Sequence, residues 1–178
     1  FWYAVITAFG ASEPALVNTT LATMRDFIAW IDVGLVANAQ FVPLLLRLLL
    51  DPQYTAAACD CVAALVCKGM DPAAKVDLVA QLRLPDVVAA FSASRAAPAF
   101  AAAFARLLAT AALELAFAAD KLQGMSDRAP GPLMDASRRA VAVLDALVPT
   151  LLAFYAHPDA DISDPALDFF QPYVTKFK

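Results

Sequence analysis

Three cysteines, one histidine and an aspartate-rich turn are the side chains whose types and spacing invite a chemical reading. Cys59-x-Cys61, followed by Cys67, offers thiols of the kind that hold a soft metal. Residues two apart on a helix point in different directions, however. No histidine or fourth cysteine stands at a useful spacing, so the trio reads as helical core. Asp159-x-Asp161-x-Ser163 opens like a calcium loop. The glycine needed at the sixth position is Asp164 and the glutamate at the twelfth is Phe170, which leaves a cap and a turn as the expected role. Gly124-x-Ser126 lacks the second glycine of a nucleophile elbow, with Arg128 in its place. His157 stands beside Pro158 in a turn, with no nucleophile in sequence reach, and reads as solvated. There is no glycine-rich phosphate loop either. The expectation is a chain that is not an enzyme, with no catalytic residue, no metal and no cofactor of its own.

The bulk properties agree with a non-catalytic helical chain. Of 178 residues, 61% are hydrophobic and the mean hydropathy is +0.64, much of it from alanine, the best helix former. Net charge is −4 and the pI about 4.8, so the segment as a whole is not a basic nucleic-acid clamp. An odd number of cysteines gives no disulfide framework and suits a reducing compartment. Residues 99–119 are long enough to span a bilayer, but Arg106 and Glu114 would each cost about 2.5–3.5 kcal/mol near its centre, and Arg47 interrupts the leucine run at 44–50. The expectation is no membrane. Both termini are apolar, without a cap or a signal peptide, which reads as an excerpt from a longer solenoid.

The elements that must carry these residues centre on Phe41–Cys67. Phe41–Leu50 reads as a helix stopped by Asp51-Pro52, and that pair reads as the start of a second, from about Gln53 to Lys68. Gly69 is expected to end it in the left-handed conformation. The pattern returns later. Val42-Pro43-Leu44-Leu45-Leu46 and Asp51-Pro52 are matched without a gap by Val148-Pro149-Thr150-Leu151-Leu152 and His157-Pro158. Such helix pairs are of HEAT type and must stack to bury their apolar sides. Elsewhere, Leu16, Thr20, Met24, Phe27 and Ile31 form one helical stripe, and Asn38 reads as a cap. Asp71-Pro72 starts a helix to about 83, Pro85 breaks or kinks it, and 92–98 is a loop. A long helix runs from about 98 to 122, 124–132 is a Gly/Pro linker, and helices cover 133–156, bent at Pro149, and 164–177 after a turn at 157–163. No stretch alternates with period two. The fold expected is all-α, a HEAT/ARM-type α-solenoid of about four antiparallel helix pairs, approximately 1–31, 39–68, 72–122 and 133–177.

Three islands carry a more specific likeness. The run Phe27-Ile28-Ala29-Trp30-Ile31-Asp32, Leu35-Val36-Ala37-Asn38 and Phe41 resembles the exportins of the importin-β (karyopherin) superfamily. Ala58-Cys59-Asp60-Cys61, Lys68-Gly69-Met70-Asp71-Pro72, Lys75 and Leu78-Val79 resemble, more narrowly, the exportin-T (tRNA exportin) family. The stretch from His157 through Asp161 to Phe169 and Tyr173 fits the same family, whereas 92–140 match poorly and carry nothing functional across. The resemblance implies a segment of a nuclear export receptor. It would take tRNA out of the nucleus together with Ran-GTP, meet nucleoporins, and shuttle between nucleus and cytoplasm, with GTP entering only through Ran.

On that resemblance Trp30, Ile31, Asp32, Asn38, Asp60, Gly69, Asp71, Pro72 and Asp161 form a structural signature, and Trp2 and Trp30 are expected to pack between helices. Phosphates are held mainly by Lys and Arg. The candidate tRNA phosphate contacts are therefore Lys68 and Lys75, the adjacent Arg138 and Arg139, and Lys176 with Lys178. The acidic residues around 159–168 would equally face a basic patch on a protein partner. Another superfamily receptor with protein cargo, or a generic helical-repeat scaffold, are the alternative readings.

Overall fold

The computed structural model describes residues 1–93, 98–126 and 131–176. Its helices are α1 (Trp2–Phe9), α2 (Pro14–Ile28), α3 (Phe41–Leu49), α4 (Thr55–Cys67), α5 (Pro72–Gln81), α6 (Leu84–Ala93), α7 (Pro98–Ser126), α8 (Pro132–Tyr155) and α9 (Ala160–Lys176). A single 3-10 turn, Val33–Leu35, lies between α2 and α3, and no strand occurs among the described residues. The protein is all-α, as its lack of period-two patterning requires.

The helices stack in two rows. α2 packs on α4, α4 on α7 and α7 on α9, while α5 and α6 lie against α8 on the other side. Across the rows, α1 meets α2, α3 meets α4, α5 meets α7, and α8 meets both α7 and α9. Tyr3 of α1 and Phe41 of α3 touch edge to face, with ring centroids 5.5 Å apart. Most helices thus bury an apolar side against a neighbour in their own row and a partner in the other, the packing of stacked helical pairs. Nearly all core residues, from Ile6 to Phe169, fall in one continuous cluster.

The central helix α7 is long and apolar enough, by length and composition, to cross a membrane at 100–125. Here it is the core helix, with Phe104, Leu107, Leu108, Ala111, Ala112 and Leu115 inaccessible and α4, α5, α8 and α9 packed around it. Its alanines let those neighbours approach closely at little entropic cost.

Several local expectations meet the structure directly. Asp71 accepts from the N–H groups of Ala73 (2.9 Å) and Ala74 (3.2 Å), and Pro72 occupies the first turn of α5. The Asn38 side chain accepts from the N–H groups of Gln40 and Phe41 at the start of α3 (both 3.0 Å) and donates back to the carbonyls of Gly34 and Leu35. One residue therefore closes the 3-10 turn and opens the next helix. Asp32 caps that turn through Gly34 N–H at 2.7 Å.

Others are corrected. Asp51-Pro52 makes a turn rather than the first residues of α4: Asp51 Oδ1 accepts from Gln53, its carbonyl accepts from Tyr54 and Thr55, and the helix starts at Thr55. That turn is latched to the preceding pair by Tyr54, whose hydroxyl donates to the Gly10 carbonyl at 2.8 Å. Gly69 does not take the left-handed conformation. Among the described residues, positive φ belongs to Gly131 (107°) and Arg83 (45°). Arg83 is where the helix expected over 72–83 turns into α6, so the break precedes Pro85, which sits in the first turn of α6.

The buried stripe of α2 is Val17, Thr20, Leu21, Met24 and Ile28, while Leu16 and Phe27 are exposed. The helix has apolar residues on two sides, and contact with α4 selects one. α9 begins at Ala160, four residues earlier than expected, because Asp159 accepts from Asp161 N–H at 3.0 Å and caps it. The Val-Pro echo falls differently in its two copies, at the start of α3 but inside the last turns of α8. The centres of the expected 92–98 loop and 124–132 linker lie outside the described residues.

Candidate functional site

The side chains singled out from the sequence are drawn mostly into fold-holding contacts. Lys68, just past α4, reaches to the end of α2 and donates from Nζ to the carbonyls of Ile28 (2.9 Å) and Ala29 (3.1 Å). Its charge neutralises the negative end of that helix and satisfies two of its last acceptors. Lys75 is a further correction. Its side chain is 8% exposed and forms an ion pair with Glu114 of α7, so it does not present a cation to a phosphate.

Arg138 and Arg139 lie on α8 but serve different partners. Arg138 is 74% exposed and pairs with Asp135 one turn earlier, while Arg139 reaches Asp77 of α5 at 2.8 Å. The Lys176 and Lys178 side chains lie outside the described residues. The described candidates are therefore not brought together into one patch: Lys68, Lys75 and Arg139 each join one helix to another, and Arg138 pairs within its own helix.

Asp60, placed between Cys59 and Cys61 on α4, has a role that sequence spacing did not reveal. It faces Arg25 of α2 at 3.9 Å and Arg106 of α7 at 3.7 Å. One carboxylate thus bridges three successive helices of a row. Arg25 is also hydrogen-bonded to Asp26 at 2.8 Å, and that carboxylate, with its charge, holds the guanidinium above its ordinary pKa. The signal lay in a charge inside each of three otherwise apolar stretches. Arg106 read only as a membrane penalty, and Arg25 was not singled out.

Cys59 and Cys61 are core, as their spacing suggested, whereas Cys67, the last residue of α4, is exposed, against expectation. Burial pushes the Cys59 and Cys61 thiols up to about 12, and that of Cys67 upward as well, so none is poised as a nucleophile. No group of three or more His, Cys, Asp or Glu side chains among the described residues is placed to hold a metal ion. Trp2 packs at 6.2 Å against Phe27, but Trp30 is 86% exposed and fills no interhelical space, against expectation. It falls past the end of α2, which closes at Ile28. Ile31 alone of that pair packs on the core.

Three carboxylates on α9 stand apart from these pairs. Asp161, Asp164 and Asp168 line a groove of about 420 Å³ between α7 and α9, together with Arg106 and Thr110. A second hollow, about 460 Å³, lies where α2 and α4 end, lined by Arg25, Cys67 and Lys68. Neither encloses a nucleophile with a base.

Fold and surface together define a stack of helical pairs whose charged side chains bind helix to helix. The Exportin 1-like protein family model matches residues 1–62. The chain is similar to exportin-T from Arabidopsis thaliana, 44% identical over 90 residues that cover 48% of this chain and 9% of that protein. With exportin-T from Danio rerio the identity is 29% over 179 residues, 99% of this chain and 18% of that protein, and with the Homo sapiens protein 26% over 175 residues, 97% and 18%. The exportin-T likeness read from the residue islands is thus what whole-chain comparison finds, and the longer alignments run through 92–140. The chain spans 9–18% of the length of these relatives.

Proposed function

We propose that the chain is a segment of a nuclear export receptor that carries tRNA out of the nucleus in a cooperative complex with Ran-GTP. The similarity to exportin-T along 99% of the chain carries this reading. The receptor is a carrier rather than an enzyme, shuttles between nucleus and cytoplasm through contacts with nucleoporins, and uses GTP only through Ran.

The row α2–α4–α7–α9 supports a mechanical part in that cycle. Its contacts include small side chains such as Ala58, Ala105, Ala109 and Ala112, and single charge bridges such as Asp60 to Arg25 and Arg106. Contacts of this kind shift by small amounts without opening a core, so curvature can change along the stack. Ran-GTP and tRNA then each favour the curvature that the other needs, which is cooperativity by linkage. Of the candidate phosphate contacts with described side chains, Arg138 and Arg139 keep the surface exposure for such a contact, once released from Asp135 and Asp77.

The test is gel-shift binding of tRNA to the full-length protein with and without Ran-GTP. Tighter binding with Ran-GTP is expected, and equal affinity in both arms overturns the proposal. Arg138→Glu with Arg139→Glu should lower the salt slope of tRNA binding by about 1–2 if both touch phosphates. A receptor with protein cargo is the second reading, and the carboxylates of α9 favour it.

A further inference from the structure

The α7–α9 groove combines two properties that the helix-to-helix contacts leave unused. Its floor is apolar, built from Ala109 and Leu113 of α7 and Pro165 and Phe169 of α9. Its α9 wall carries Asp161, Asp164 and Asp168, whose spacings of three and four place them along one helix face. None of the three has an ion-pair partner among the described residues. The cation in the lining, Arg106, is 3.7 Å from Asp60 on the α4 side. Pro165 adds to this excess of acceptors, because it has no N–H to close the helical bond to the Asp161 carbonyl.

We propose that this groove docks a lysine- or arginine-bearing segment of a protein partner. Its cations pair with Asp161, Asp164 and Asp168, and one apolar side chain rests on Leu113 and Pro165. Charge complementarity selects the occupant: the same carboxylates repel a phosphate backbone, so nucleic acid is excluded from this part of the surface. An apolar seat with a charged rim also fits the usual division of an interface into a dry centre and a polar edge. The inference stands on the chemistry of the groove and does not require the transport reading.

The probe is a short fluorescent helical peptide with arginines spaced three and four apart and a leucine between them. Its twin carries glutamate in place of arginine, and a fluorescent uridine oligonucleotide serves as the nucleic-acid arm. Anisotropy with the full chain should show salt-sensitive binding of the arginine peptide, none of the glutamate twin, and no competition by the oligonucleotide. Asp161→Asn, Asp164→Asn and Asp168→Asn combined should weaken peptide binding about tenfold, three exposed pairs being lost. Thr110→Lys, which puts a cation on the opposite wall, should weaken it independently and covers the case in which the triple variant fails to fold. Failure of the arginine peptide to bind, unchanged affinity in the variants, or displacement of the peptide by the oligonucleotide each overturns the proposal.

Discussion

Replacing Lys75 by methionine removes the cation that Glu114 faces across the α5–α7 contact while keeping the bulk of the side chain. The Lys75 side chain is 8% exposed and that of Glu114 is 29% exposed. Breaking a fully buried pair by deleting one partner costs about 3–5 kcal/mol, because the remaining charge is stranded. Glu114 keeps some contact with water, so the expected cost falls to about 2–3 kcal/mol. For a domain of this size that lowers the melting temperature by about 5–10 °C. Glu114→Gln alone should cost less, since an amide still accepts from the Lys75 ammonium. The double variant Lys75→Met with Glu114→Gln should recover part of the loss, because no unpaired charge remains. Urea unfolding of the four proteins gives the coupling energy directly. A Lys75→Met variant within about 0.5 kcal/mol of the parent, or strict additivity in the double variant, refutes the reasoning. The same variant should leave the salt slope of tRNA binding unchanged, since a side chain paired inside the stack releases no counterions.

Three further outcomes follow from the same geometry. Lys68→Met should destabilise the protein by about 1 kcal/mol in urea, with Lys68→Arg nearer the parent, because the cation serves the carbonyls of Ile28 and Ala29. Trp30→Ala should change stability by less than about 0.5 kcal/mol, and in a Trp2→Phe background Trp30 fluorescence should be readily quenched by acrylamide. Cys59 and Cys61 hold their protons in the fold up to about 12, against an ordinary value of 9.0. The unfolded chain therefore loses these protons first. Stability is fully present below pH 9.0 and falls as pH rises toward about 12, and Cys59→Ala with Cys61→Ala should flatten that fall in unfolding curves. In the native protein at neutral pH, iodoacetamide should spare both residues until urea unfolds the chain.

Which segments are helical, and where most of the helices begin, is legible in one dimension. Asp71-Pro72 and Asn38 act through their own neighbours along the chain, so their capping roles are legible without any tertiary information. The absence of strands among the described residues, the burial of Cys59 and Cys61 and the need of each helix pair for a neighbour followed in the same way from periodicity and composition. Packing decided what periodicity left open. Apolar residues on two sides of α2 permit two stripes, and only contact with α4 selects the one through Val17, Leu21 and Met24.

The charges were harder to read. Lys68 and Lys75 lie seven residues apart in the chain, yet one caps α2 forty residues earlier and the other meets Glu114 thirty-nine residues later. A lysine's type and position show that a cation is present. Whether it faces solvent, a carbonyl or a carboxylate depends on which distant helix the fold places beside it. The same holds for Asp60 between two arginines and for the three aspartates along the α9 groove. Backbone preference is local chemistry and can be read in one dimension, but the partner of a charge is a neighbour in space, and only the stacked helices supply it.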